Sequence, residues 1–213
     1  MKQVNWADHI FNFLAVIIGV SLAFFVNDNA ARTRESTELN VVIKSFLDEL
    51  KDDSTVFADY QIPDNEEQSL AIQQVIGMLK SGVEDSLEIK FQKAININGY
   101  HPSCVTFNSL ASSGKLDLIK DFELRKELAE YHTVYAQEAK WRGEFQVDYY
   151  SENLLPWLIK NVDFTDDDTS ALNDRELINL LLIYDGLISN KVRQYKLLTR
   201  EAGKLRAKLK ALQ

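Results

Sequence analysis

The sequence predicts an all-α fold: one N-terminal transmembrane helix followed by long amphipathic helices in an extramembrane bundle or hairpin. Three observations carry that expectation. Only 8 Gly and 3 Pro interrupt 213 residues, well under the roughly 12% that these two residues average, which disfavours turn-rich all-β architectures. Hydrophobic residues make up 46% and charged residues 26%, a mixture suited to helices with one buried and one solvated face. A single uncharged run, IFNFLAVIIGVSLAFFV, fills residues 10–26.

That run lies between Asp8 and Asp28, and its 17 residues reach the lower edge of the length that crosses a bilayer. Trp6 ahead of it suits the water–lipid interface. A cleaved signal peptide and a buried core helix are the competing readings. Against cleavage, the start sets Lys2 against Asp8, and NDNAAR after Val26 offers no A-x-A site. The expected division is therefore a tail and uncleaved anchor over 1–28 and a helical extramembrane domain over 29–213. Asn12, Ala15, Gly19 and Ala23 share one face of the anchor. Small residues let two helix backbones approach closely in lipid, and a polar side chain hydrogen-bonds across the contact. The face is thus a candidate intramembrane helix contact, in a homo-oligomer or with another membrane subunit, although small residues also populate spans without such a role. Lys2 and the α-amine on one side nearly balance Arg32 and Arg34 on the other, so the positive-inside count does not fix orientation.

Beyond Asn27 nothing breaks a helix before Pro63. Leu39, Val42, Phe46, Leu50 and Phe57 follow three- and four-residue steps, with Asp53 polar on the same line, and predict an amphipathic helix to about residue 60. Unbroken, residues 10–60 extend about 75 Å. A second helix is expected from Asp64, with Glu67 completing a capping pair, through Leu70, Ile72, Val75, Ile76 and Leu79 to Ser81-Gly82. A short helix over 85–95 leads into the loop NGYHPSC, and another over Val105–Ser112 is closed by Gly114. Asp121 caps a longer helix with Leu124, Leu128, Tyr131, Tyr135 and Ala139 on one face. Its continuation through Trp141, Phe145 and Tyr149 shifts phase near Gly143, and Pro156 marks a kink or end. The acidic TDDDTS (165–170) reads as a solvated loop, and Asn173 with Glu176 opens the final helix.

That final helix turns strongly basic. Residues 191–213 hold eight Lys and Arg against Glu201 alone, in a chain of net charge −8. Leu198, Ala202, Leu205, Leu209 and Leu212 keep a 4-3-4-3 seam through it, a short coiled-coil-like pattern. Lys196, Arg200, Lys204, Arg206, Lys208 and Lys210 are candidate lipid- or partner-facing cations. Three readings stay open for them: packing beside the acidic early helix (Asp48, Glu49, Asp52, Asp53), contact with anionic head groups, or nucleic acid. The last is disfavoured by the acidic total and by the lack of aromatic stacking residues among the cations, so no nucleic-acid partner is expected.

No catalytic, cofactor or metal site is expected. His9, His101 and His132 stand in no metal-ligand spacing, and the lone Cys104 excludes both an intrachain disulfide and a Cys-built metal site. His101 near Cys104 is the only pair resembling a nucleophile and base, without an orienting third group. SSGK at 112–115 lacks the first glycine of a phosphate loop, and the Asp52–Asp53 and Asp166–Asp168 clusters lack the spacing of a calcium loop.

Two stretches, AVIIGVSLAFFVNDNAARTRE and FNSLASSGKLDLIKDFELRKELAEYH (107–132), resemble an uncharacterised family of single-span, membrane-anchored helical proteins from Gram-negative bacteria. The tail before the anchor is shorter and less basic than that family's. The resemblance implies an inner-membrane anchor with the helical part in the periplasm, and no activity. The resulting expectation is a non-catalytic accessory or structural subunit of a membrane complex; the alternative is a periplasmic sensory or ligand-binding module that signals through a partner.

Overall fold

The computed structural model describes residues 6–82, 87–162 and 174–212, with the side chains of residues 6–10 and 12 outside the description. TDDDTS and Asn173 lie outside the described residues as well. Every element among the described residues is helical.

α1 (Trp6–Val56) runs through a π-helical turn, Phe57–Gln61, directly into α2 (Ile62–Ser81). The expected break before Asp64 is absent, and the reason lies in that turn. The Ile62 N–H bonds to the Phe57 carbonyl five residues back, which widens the helix just ahead of Pro63. A widened turn accommodates a ring that has no N–H and would otherwise clash with the carbonyl four residues back. Gly82, at φ 69°, ends α2 in the left-handed region. α3 (Leu87–Ala94) leads into an irregular segment to Cys104, and α4 (Val105–Ser113) stops at Gly114, φ 68°. After a 3₁₀ turn at Lys115–Leu118, the Asp121 carboxylate accepts from the Leu124 N–H at 3.1 Å and starts α5 (Phe122–Glu130).

A second π turn, Tyr131–Tyr135, joins α5 to α6 (Ala136–Tyr149). A third, Tyr150–Leu154, precedes Pro156 and carries the helix on into α7 (Leu155–Asn161). The two prolines that lie within helices, Pro63 and Pro156, are therefore absorbed in the same way. α8 (Arg175–Lys210) is capped by Asp174, whose carboxylate accepts from the Glu176 N–H, one residue after the expected Asn173.

α8 is antiparallel to the α1–α2 rod. Lys196 meets Glu66 at 2.6 Å, whereas Asp185, eleven residues earlier, accepts from Ser69 and Gln73. One hydrophobic cluster joins Ile43, Phe46 and Leu50 of α1 to Leu110, Leu124, Leu128 and the α8 seam Leu198, Ala202, Leu205 and Leu209. The other joins Ile72, Val75 and Leu79 of α2 to Phe91, Trp157, Leu158 and the earlier α8 residues Leu177, Leu181 and Ile188. Each fully buried Leu or Ile contributes about 1.5–3 kcal/mol. Leu212, the last position of the expected seam, is exposed. The seam instead extends backwards, through Tyr195, Lys191, Ile188 and Tyr184.

Candidate functional site

From Phe13 to Thr37 every residue of α1 is exposed. From Phe13 to Val26 the apolar run is bare on all sides: Phe13 and Ile18 are each 65% exposed and Phe25 70%. One helix among the described residues is long and apolar enough to cross a membrane, and it is this one: an 18-residue window averages a hydropathy of 1.7, none of it buried. Ala15, Gly19 and Ala23 are exposed, and a Cβ added at Gly19 would meet nothing within 4 Å. At about 100° per residue their face lies on the side of α1 opposite Phe46 and Leu50, which point into the core. The Asn12 side chain is outside the described set. Beyond the apolar run, α1 is braced by ion pairs from Glu35 to Lys120 and from Glu38 to Lys115.

The basic end of α8 does pack along α1, but its cations find other partners than the four early acids. Lys196 pairs with Glu66, Arg200 and Lys204 with Glu201 at 3.1 and 2.9 Å, and Lys208 with Glu127. Lys210 is exposed, and Arg206 is half-buried with its Nε lacking a hydrogen-bond partner. Asp53 and Glu49 are turned inward instead. They stand three or four residues from Phe46, Leu50 and Phe57, on the core-facing side of α1.

Inside, these acids organise a polar cluster. Asp53, 1% exposed, accepts from the Tyr100 hydroxyl at 2.9 Å and from the Ser103 N–H at 3.1 Å. Burial pushes its carboxyl up to about 6 despite those bonds. Glu49 accepts from the Thr106 N–H at 3.0 Å. His132 stacks on Phe107 with ring centroids 5.0 Å apart, its Nδ1 is 4.0 Å from Glu49 Oε1, and burial lowers it to about 4. Cys104 faces the His132 carbonyl at 3.8 Å, not an imidazole nitrogen. Burial, with Glu49 and Asp53 nearby, pushes its thiol up, opposite to what a nucleophile needs. His101 is exposed. Among the described residues no three His, Cys, Asp or Glu side chains converge as metal ligands.

A second polar cluster lies where the two hydrophobic clusters meet. Lys191, 0% exposed, donates to Asn98 O at 2.8 Å, to Asn98 Oδ1 at 3.1 Å and to Gln146 Oε1. Its ammonium also lies 5.9 Å from the centre of the Tyr195 ring. No carboxylate is among its partners, and burial lowers it to about 7. Gln146 donates to Tyr184 at 2.8 Å, and Gln68 donates to the Ala94 and Asn96 carbonyls. Sequence reasoning counted Lys191 only in the charge of the basic stretch 191–213 and gave it no place of its own. Its 4-3 spacing with Ile188 and Tyr195 was the signal that it belongs to the seam, as the place of Asp53 on the apolar line was for that residue. Set against known proteins, the chain matches no family model, no curated protein and no solved structure.

Proposed function

We propose that the chain is a membrane-anchored accessory or structural subunit of a membrane protein complex, with no catalytic activity of its own. One observation carries this reading: the apolar run, bare on every side from Phe13 to Val26, continues as the same helix into the packed helices. An apolar surface of that extent is far larger than the patches that water-exposed monomers carry, and hydrocarbon is the solvent that suits it. No Gly or Pro interrupts residues 27–62, so a tilt or shift of the span is passed directly to the packed helices. The Ala15, Gly19 and Ala23 face, with Asn12, is the proposed intramembrane contact, with a second copy or another subunit. It points away from the packed helices, so pairing there leaves them room.

The cations of α8 are proposed to meet a protein partner. The register fixed by Glu66 with Lys196 and Phe57 with Tyr195 sets Lys210 level with about residue 46. That is about 30 Å of helix beyond Val26, which favours an acidic protein surface over lipid head groups for Lys196, Arg200, Lys204, Arg206, Lys208 and Lys210. Residence in a bacterial inner membrane with the helical part in the periplasm rests on the resemblance of the span and of residues 107–132.

Purification of the C-terminally tagged full chain in mild detergent, with identification of what accompanies it, tests the proposal. A stable membrane partner, or a second copy, retained by the wild type and lost in Gly19→Ile is the expected result. A chain that elutes alone and crosslinks to nothing would overturn it.

A further inference from the structure

The anchoring role makes no use of residues 96–104, the irregular segment between α3 and α4. This segment carries the NGYHPS motif and is held in an unusual way: nearly every hydrogen bond that fastens it comes from a buried polar side chain of a neighbouring helix. Gln68 of α2 and Tyr184 of α8 both donate to the Asn96 carbonyl, the latter at 3.0 Å. Lys191 of α8 takes both oxygens of Asn98. Asp53 of α1 takes the Tyr100 hydroxyl and the Ser103 N–H. These four side chains are all 2% exposed or less. A buried polar group needs a partner, and here the segment supplies it; lifted away, the segment would leave each group to water.

We propose that residues 96–104 form a strap that opens and closes over the junction of the two hydrophobic clusters, with Asp53 clasping one end and Lys191 the other, so that protons taken up or released at these two side chains set how often it opens. The groups facing Asp53 are Glu49 and Asp52 of α1, Tyr100 and Cys104 of the strap side, and Tyr131 from the turn after α5. None is a cation. Lys191 faces Gln146, Asn98 and the Tyr195 ring, with no carboxylate among them. Each clasp therefore buries a charge without an opposite charge beside it. His132, also buried, lies among Phe46, Phe107 and Tyr131 and stays covered when the strap lifts.

The sign follows from linkage. The closed strap holds the Asp53 carboxyl at about 6 and Lys191 at about 7, whereas in the open state both are hydrated and return to ordinary values. Closing takes up a proton at Asp53 in mild acid and releases one from Lys191 in mild alkali. Between pH 6 and 7 both clasps are charged and buried, and opening is most frequent there.

Amide hydrogen exchange of the full chain in detergent micelles at pH 5, 6.5 and 8.5 reads this directly. Rates are corrected for intrinsic pH dependence and expressed relative to core amides of α8. Protection of the Ser103 amide, the strap N–H that Asp53 holds, is expected to be lowest at pH 6.5, about fivefold higher at pH 5 and about twentyfold higher at pH 8.5. Asp53→Asn should remove the rise on the acid side and Lys191→Met the rise on the alkaline side. Tyr100→Phe, which removes a bond that favours the charged Asp53 carboxylate, should lower protection more at pH 6.5 and 8.5 than at pH 5. The wild-type profile decides the matter even where a variant does not fold. A flat profile, or one shared by the α8 core amides, would overturn the proposal, as would single variants that keep both rises.

Discussion

Replacing His132 with Phe should stabilise the protein in acid far more than at neutrality. The imidazole side chain is wholly buried, stacked on Phe107 and packed against Phe46 and Tyr131, and neither ring nitrogen has a hydrogen-bond partner. Burial lowers it from 6.5 to about 4. Between those values the unfolded chain binds a proton that the folded chain does not, so this residue makes stability fall as pH drops from 6.5 towards 4. From pH 7 to pH 4.5 the loss is about 2 kcal/mol, or about 5 °C in melting temperature for a chain of this size. Asp53 works in the opposite direction over nearly the same range. Its carboxyl is raised to about 6 in the folded state, so it adds stability as pH falls below that value. The two effects overlap in the wild-type curve, and the difference between variant and wild type carries the information. Thermal unfolding of the full chain in a neutral detergent, followed by far-ultraviolet circular dichroism, should show that difference widening by about 5 °C between pH 7 and pH 4.5. Phe is larger than His and overpacking shifts both curves together, so the slope is the readout. A difference independent of pH would show that His132 takes up its proton in the folded state as easily as in the unfolded one, with Glu49 as its partner, and would refute the reasoning.

Other perturbations separate the anchor, the core and the surface. Gly19→Ile fills the small-residue face, which has open space around it, and should abolish crosslinking through the span while leaving the far-ultraviolet spectrum unchanged. Leu198→Ala, at a fully buried seam position, should cost about 2–5 kcal/mol in thermal or denaturant unfolding. Lys208→Ala removes an exposed ion pair with Glu127 and should cost under about 1 kcal/mol. A drop in partner retention with unchanged melting would then assign Lys208 to a binding surface.

Much of the architecture was legible because apolar spacing and turn chemistry are local. Leu39 to Phe57, Leu124 to Ala139 and the α8 seam all emerge from three- and four-residue steps, and Gly82 and Gly114 end helices in the left-handed region, where a residue without a Cβ is at ease. The prolines misled. A proline stops an ideal α-helix, but a π turn is a non-local bargain struck by packing on both sides, and no residue near Pro63 or Pro156 announces it. The buried polar residues were half visible. Asp53 and Lys191 sit at apolar spacing, yet a charged side chain there is outward-facing far more often than buried. Only the fold reveals that the 96–104 strap returns to satisfy both. The pairing of Lys208 with Glu127 and of Lys196 with Glu66 was likewise hidden, since it depends on which helices flank α8.

The proposed role requires residues 10–26 to lie in hydrocarbon, and alkaline carbonate washing of membranes from cells that express the full chain tests this most directly. The washed pellet should retain the protein at full length. Release of the intact chain into the supernatant with peripheral proteins would contradict the anchor and, with it, the proposed role.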